Sequence, residues 1–228
     1  MKKLWNFYVD SLQGHPTRCN TPKAFTEIQL LEDIQDYFQW RDATVLVIGC
    51  ADGREVHLFK KLGYKKVVGI TMGDINVRAA SVDYPDANVI AMDMHNLSKL
   101  GNEVFDYIYL NQTFEHAFAP FIFCLELWAA TKVGGSVYIK YPSHKAEGLS
   151  QLTDPMTALT SHHHPNMLRL SDAVQLLKVT GFKITAAVPG GNNIVVVQKL
   201  GLNSLLNAGV HPDVIRTLNK RLILNTEE

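Results

Sequence analysis

A chain of 228 residues with 46% hydrophobic and 19% charged residues carries enough apolar surface for a sizeable core and too little charge for a disordered polymer. Its 22 Lys and Arg are matched by 22 Asp and Glu, which argues against the basic excess of a protein that wraps duplex DNA through many phosphates. The longest strongly apolar stretch, Ala117 to Leu125, ends at Glu126 and is too short for a bilayer span. The opening "MKKLWNFYVD" has no apolar run and no small-residue cleavage site, so no signal peptide is expected. Cys19, Cys50 and Cys124 are widely spread and form no CxxC pair, as expected of reduced thiols in a cytoplasmic protein without a disulfide framework or structural zinc.

The first predicted element follows the cap Thr21-Pro22, where Phe25, Ile28, Leu31, Ile34 and Phe38 recur at helical spacing. "TVLVIG", Thr44 to Gly49, is a short β-branched run without polar alternation, as a strand buried on both faces requires. A helix over Arg54 to Leu62 stops at Gly63, and a second buried strand covers Lys66 to Ile70. The rhythm continues with a helix over Asn76 to Val82, strands over Asn88 to Ala91 and Val104 to Leu110, and a helix over Phe118 to Ala130. Gly134-Gly135 is expected to close that helix, and Ser136 to begin the next strand, through Tyr141. Strands alternating with helices at this spacing predict a doubly wound α/β fold with a mostly parallel sheet.

The end of the chain departs from that rhythm. After a helix over Ser171 to Thr180, only "PGGNN" separates the runs Phe182 to Val188 and Asn193 to Lys199. That is too short for a crossover helix, so the two must pair as an antiparallel hairpin at one side of a seven-stranded sheet. Residues 1–40 are expected to form a helical N-terminal cap, 41–200 the main domain, and 201–228 a polar, partly helical tail.

The segment "VLVIGCADG", Val45 to Gly53, puts a tight turn directly after the first buried strand. Gly49 and Gly53 remove Cβ atoms where a backbone would approach a ligand, and the next helix offers free N–H donors. A nicotinamide site wants GxGxxG and an acid about 20 positions on, whereas Gly49, Ala51 and Arg54 fill the glycine positions and Thr71 stands near the acid's place. Several further segments follow in order: "VVGITMGDIN" (Val67 to Asn76), "VIAMD" (Val89 to Asp93), "FDYIYLNQTFEHA" (Phe105 to Ala117) and "ATKVGGSVYIKYP". Together with the terminal hairpin they resemble the class I S-adenosylmethionine-dependent methyltransferases, a Rossmann-like fold, over roughly residues 40 to 199.

The resemblance implies a set of roles. Gly49, Cys50, Ala51 and Gly53 line the loop facing the methionine part of S-adenosyl-L-methionine. Asp93 accepts from the adenine amino group with Met94 beside the ring, and Asn111 lies near the sulfonium. Two positions depart from the family pattern: Val47 replaces the usual acid of the first motif, and Ala51 its middle glycine. The acid that usually holds the ribose is Thr71. However, "GITMGDIN" is similar to the Thr-and-Gln version of the cyclopropane-fatty-acid synthase-like branch, so Thr71 and Asn76, flanking Met72, are the preferred ribose residues, with Asp74 the alternative. Trp5 to Tyr8 then belongs to a cap over the cofactor.

His162, His163 and His164 are consecutive and are joined by no spaced carboxylates, so no metal site is expected. They precede the last helix, where this family inserts its substrate loop, and His116 follows the fourth strand. His163 and His116 are therefore the candidate general bases, against the plainer reading of loop and packing residues. The expected activity is methyl transfer to a small-molecule acceptor, with neither nucleic acid nor membrane as partner. The alternative is a methyltransferase-like binding module without turnover.

Overall fold

The expected alternation is present in a computed structural model, which describes residues 27–143, 166 and 168–224. Seven strands lie in one mixed sheet in the order β3-β2-β1-β4-β5-β7-β6, and the chain divides into two compact units, Met1–Asp93 and Met94–Glu228.

In the first unit, helix α1 (Glu27–Ile34) and the turn after it bury Leu30, Ile34 and Phe38. Ile28 was expected on that stripe but is 68% exposed. Two residues ahead of Leu30, it lies roughly 200° around the helix, away from the face that the fourfold spacing of Leu30, Ile34 and Phe38 selects. Strand β1 (Thr44–Ile48) pairs in parallel with β2 (Lys66–Thr71), and β2 in parallel with β3 (Val89–Ala91). Helices α2 (Arg54–Lys61) and α3 (Asp74–Asp83) make the crossovers. Buried Tyr64 stacks edge-on against Phe59 and donates its hydroxyl to the Phe38 carbonyl at 2.5 Å, tying the turn after α1 to the start of β2.

In the second unit, a 3₁₀ segment (Met94–Leu100) leads to β4 (Phe105–Asn111), a 3₁₀ turn (Phe114–His116) and α4 (Pro120–Ala130). Every side chain of α4 from Phe123 to Ala130 is buried, so beyond its first turn, where Phe121 and Ile122 are exposed, this helix is a core element. Gly134-Gly135 does not close it. The helix ends at Ala130, and β5 (Thr131–Pro142) begins at once, its glycines inside a bulge where the register jumps from Phe105–Thr131 to Tyr107–Ser136. The β-branched Thr131 favours the strand, and its hydroxyl caps the helix by donating to the Leu127 carbonyl at 2.6 Å. Helix α5 (Leu170–Val179) precedes β6 (Phe182–Val188) and β7 (Asn192–Lys199), an antiparallel pair in which β7 also runs antiparallel to β5.

The tail is docked rather than frayed. It forms α6 (Leu202–Leu205) and α7 (Pro212–Leu224) and buries Leu205, Val210 and Leu218. The Asn102 amide donates to the carbonyls of Arg221 (3.0 Å) and Leu222 (3.2 Å), satisfying two acceptors at the end of α7. Arg221 pairs with Glu126 of α4, a carboxylate only 4% exposed that also accepts from the Ser98 N–H at 2.7 Å. Arg221→Ala should strand that carboxylate and lower unfolding stability by about 2–4 kcal/mol, the lower range for breaking a buried pair because Arg221 itself reaches water. Urea denaturation measures it, and a midpoint unchanged from the parent protein would show that α7 is held by apolar packing alone.

Candidate functional site

The turn between β1 and α2 reverses the chain in five residues, three of them with left-handed backbone: Gly49 (φ 75°), Ala51 (φ 43°) and Gly53 (φ 84°). The Gly49 and Cys50 N–H groups both donate to the Ile70 carbonyl, at 2.8 and 3.1 Å, and Gly53 donates to the Cys50 carbonyl at 2.8 Å. Ala51 holds its unusual conformation without the freedom of the glycine that the family places there, at a cost of about 1–2 kcal/mol. Asp52, whose role the sequence reading missed, is buried in this turn and accepts from the Arg54 N–H at 3.2 Å, so it caps the start of α2. An acid between two turn glycines just before a helix was the signal that pointed to it. Burial pushes the Cys50 thiol up, so it remains neutral in the turn.

At the end of β2, Thr71 and Asn76 come together. Both are buried; the Asn76 amide donates to the Met72 carbonyl at 2.9 Å and lies 3.4 Å from the Thr71 hydroxyl. Gly73, with φ 80°, makes the turn that brings the first helical residues of α3 back to the strand end, with Asp74 opening the helix. Met72 is half-buried, and Asp93 is half-buried two residues past β3.

In the second unit, Met94 is buried at the start of its 3₁₀ segment, and Asn111, the last residue of β4, is half-buried. Gln112 (φ 51°) then turns the chain into Phe114–His116. His116 closes that turn, half-buried, with its N–H bonded to the Thr113 carbonyl at 3.0 Å. Glu115 is buried, and Asn166 pins the turn by donating its backbone N–H to the Glu115 carbonyl (3.1 Å) and its amide to that of Phe114 (3.2 Å). Tyr141, which the sequence placed among core or lid residues, is fully buried at the end of β5 beside Phe114, ring centroids 5.6 Å apart. His163 and its two neighbours, the substrate loop, Phe25 and the Trp5–Tyr8 cap lie outside the described residues. Among the described residues no three His, Cys, Asp or Glu gather as a metal site requires, and no helix is long and apolar enough to cross a membrane.

In each unit the chemistry-bearing side chains stand at the carboxyl ends of parallel strands, where doubly wound sheets hold their ligands. Residues 46–139 match the family model described as the methyltransferase domain. That match spans about two fifths of the chain, from β1 into β5, and is a likeness to a methyltransferase domain. The chain's fold is shared by a protein of Pyrococcus horikoshii (TM-score 0.65, 19% identity, over 81% of this chain and 94% of that one). An S-adenosylmethionine-dependent methyltransferase from Mesorhizobium loti has a TM-score of 0.58 at 12% identity, over 69% and 91% of the two chains. The cyclase SpnF has a TM-score of 0.62 at 13% identity, over 77% and 81%. A comparison with curated protein sequences gives no match. At these identities the likeness carries the fold, while the domain match carries the activity.

The methyltransferase uses S-adenosyl-L-methionine, and its residues fit that group chemically. The left-handed turn leads straight into the positive end of a helix dipole, which favours a carboxylate, and the buried Thr71–Asn76 pair offers neutral hydroxyl and amide groups suited to a diol. Gly53 serves the packing of that turn: a Cβ there would meet Ala80 at 3.0 Å, Val89 at 3.1 Å and Ala87 at 3.2 Å. Gly53→Ala adds this crowding to a left-handed backbone and should cost about 1–3 kcal/mol of stability. Thermal unfolding of the unliganded protein tests it, and a variant as stable as the parent would mean the turn can relax to another conformation.

Proposed function

We propose that this methyltransferase acts on a small-molecule acceptor. The observation that carries the reading is the exact balance of 22 basic and 22 acidic residues, which gives a polyanion no electrostatic reason to bind. The roles follow from position. The Gly49–Gly53 turn lines the methionine end, Thr71 and Asn76 take the ribose hydroxyls, and Asp93 accepts from the adenine amino group with Met94 against the ring. Asn111 stands at the transfer centre. When bound, S-adenosyl-L-methionine supplies an electrophilic methyl group on a sulfonium. The chain's own part is to align the acceptor, exclude water and take the acceptor's proton.

Calorimetric titration with S-adenosyl-L-methionine, paired with an assay for S-adenosylhomocysteine over panels of small acceptors, RNA and protein, tests the whole reading. Binding with turnover on a small acceptor is expected. Turnover on RNA or protein alone would overturn the acceptor class, and binding without turnover on any panel would make the chain a binding module. Within that frame, Asp93→Ala should weaken cofactor binding by about 1.5–3 kcal/mol, the range for a hydrogen bond to a charged group. An unchanged dissociation constant in a folded variant would move the adenine elsewhere.

The proton is assigned to His116 or His163, because a neutral imidazole serves as a base near neutral pH and His116 closes the turn that follows β4. His116→Ala should lower turnover ~10²–10⁴-fold while cofactor affinity holds. Retention of full turnover by this variant and by His163→Ala, at saturating cofactor across pH 6 to 9, would show that alignment alone drives the reaction.

A further inference from the structure

The 3₁₀ segment Met94–Leu100, whose first residue is assigned to the adenine ring, is held from outside. Asn96 departs from helical backbone (φ −128°, ψ 32°), so the segment is two short turns joined at a kink rather than one helix. Turns of that length gain few hydrogen bonds for the dihedrals they fix, and their direction is set by what grips them. Two grips come from α4. On the Met94 side of the kink, His95 accepts the Ala119 N–H at 3.3 Å through Nε2 and stands edge-on to Phe123, ring centroids 6.0 Å apart. On the far side Leu97 is wholly buried, and Ser98 gives its N–H to Glu126 at 2.7 Å.

Glu126 is the unexpected partner. A carboxylate enclosed to this degree carries a large desolvation cost, and an apolar side chain would serve if α4 needed only to pack. Its two oxygens serve two elements: Oε2 takes the Ser98 N–H, and Oε1 takes the guanidinium of Arg221 on α7. Arg221 thus balances the charge that grips the segment. The same end of α7 also meets the chain just past Leu100, where Asn102 donates to the carbonyls of Arg221 and Leu222. The last turn of α7 therefore acts on the segment at Ser98, through Glu126, and at its exit, through Asn102.

We propose that Glu126 and Arg221 are positioning residues for S-adenosyl-L-methionine: the pair holds the segment that presents Met94 to the adenine, so cofactor affinity depends on the C-terminal helix. This deepens the cofactor reading and rests on its placement of the adenine. Removing the Arg221 cation leaves the Glu126 charge enclosed without its balance, which drives the carboxylate toward water and away from Ser98. Effects passed on through a packed segment are modest, about three- to thirtyfold in affinity.

Calorimetric titration of S-adenosylhomocysteine into the full-length protein, paired with urea denaturation, separates positioning from docking of the tail. Arg221→Ala should weaken binding about three- to thirtyfold, and Arg221→Lys should recover most of it. Leu218→Ala removes a buried α7 side chain outside the pair, so it should lower stability and leave affinity unchanged. The double variant Glu126→Leu, Arg221→Leu should regain much of the stability that Arg221→Ala loses, as apolar replacements of buried pairs do. It should still bind as weakly as Arg221→Ala, because Ser98 has lost its acceptor. Affinity that follows stability through the series overturns the proposal. Should the double variant fail to fold, the contrast between Arg221→Ala and Leu218→Ala decides alone. A parent protein that binds no S-adenosylhomocysteine overturns the cofactor reading and this proposal together, whereas a parent that binds it, with the constant unchanged in Arg221→Ala, overturns this proposal alone.

Discussion

A side chain at position 69 would collide with two neighbours, and much of the first unit follows from that. A Cβ on Gly69 would sit 2.5 Å from Val56 and 2.6 Å from the Cys50 sulfur, so the space over the middle of β2 belongs to a residue of the turn and a residue of α2. With Cys50 pressed there, Gly49 and Cys50 both reach the Ile70 carbonyl, and the turn is clamped to the strand next to it. The following residue of β2 is Thr71. One steric vacancy thus sets the register between the glycine turn and the Thr71–Asn76 pair, the two parts of the unit to which we assign the cofactor. It also explains why the turn tolerates a strained Ala51: the clamp on either side fixes the backbone regardless of what residue 51 prefers.

The same packing bears on why a threonine stands where a carboxylate is usual. Thr71 and Asn76 are both almost wholly buried, and the Asn76 amide spends hydrogens on Met72 and Thr71. A carboxylate enclosed to that degree carries a desolvation cost that rises with burial. A hydroxyl and an amide avoid it, and they can both donate and accept. The exchange gives up the stronger charge-assisted bond for a site that is stable when empty.

How much of this was legible in the sequence depended on the range of the interaction. The β-branched runs of β1 and β2, the aromatic and aliphatic run of β4, the short "PGGNN" connection and the turn after Ile48 are local signals, and each falls where it was expected. The Thr71–Asn76 contact was legible too, since five residues spanning a strand end, Gly73 and a helix start leave few alternatives. Gly134-Gly135 misled because a glycine pair can stop a helix or open a bulge, and the choice was made by Thr131 and by the partner strand β4. The docking of α7 depends on Arg221 meeting Glu126, 95 residues away, and the Tyr141 phenol is pushed up chiefly by burial among elements distant in the chain, with Asn193 acting against it from β7. No window along the chain contains those encounters.

The two ends of the second unit's strands are fixed by different interactions. At the amino end of β4, Lys199 is fully enclosed, but its ammonium meets Glu103 at 2.9 Å and lies 3.8 Å from the centre of the Trp128 ring. Nearby, Lys132 grips both oxygens of Asp106 at 2.8 and 2.9 Å. Each cation there has its anion, so the enclosure is balanced within the chain. At the carboxyl end of the same strands the polar groups are held by the backbone instead: the turn carrying buried Glu115 is pinned by Asn166, which donates to the Glu115 and Phe114 carbonyls, while β5 and β7 stay in register from Ser136–Gln198 to Pro142–Asn192. One end is therefore fixed by ion pairs and the other by main-chain hydrogen bonds, which places the side-chain charge balance away from the strand ends where sheets of this kind bind their ligands.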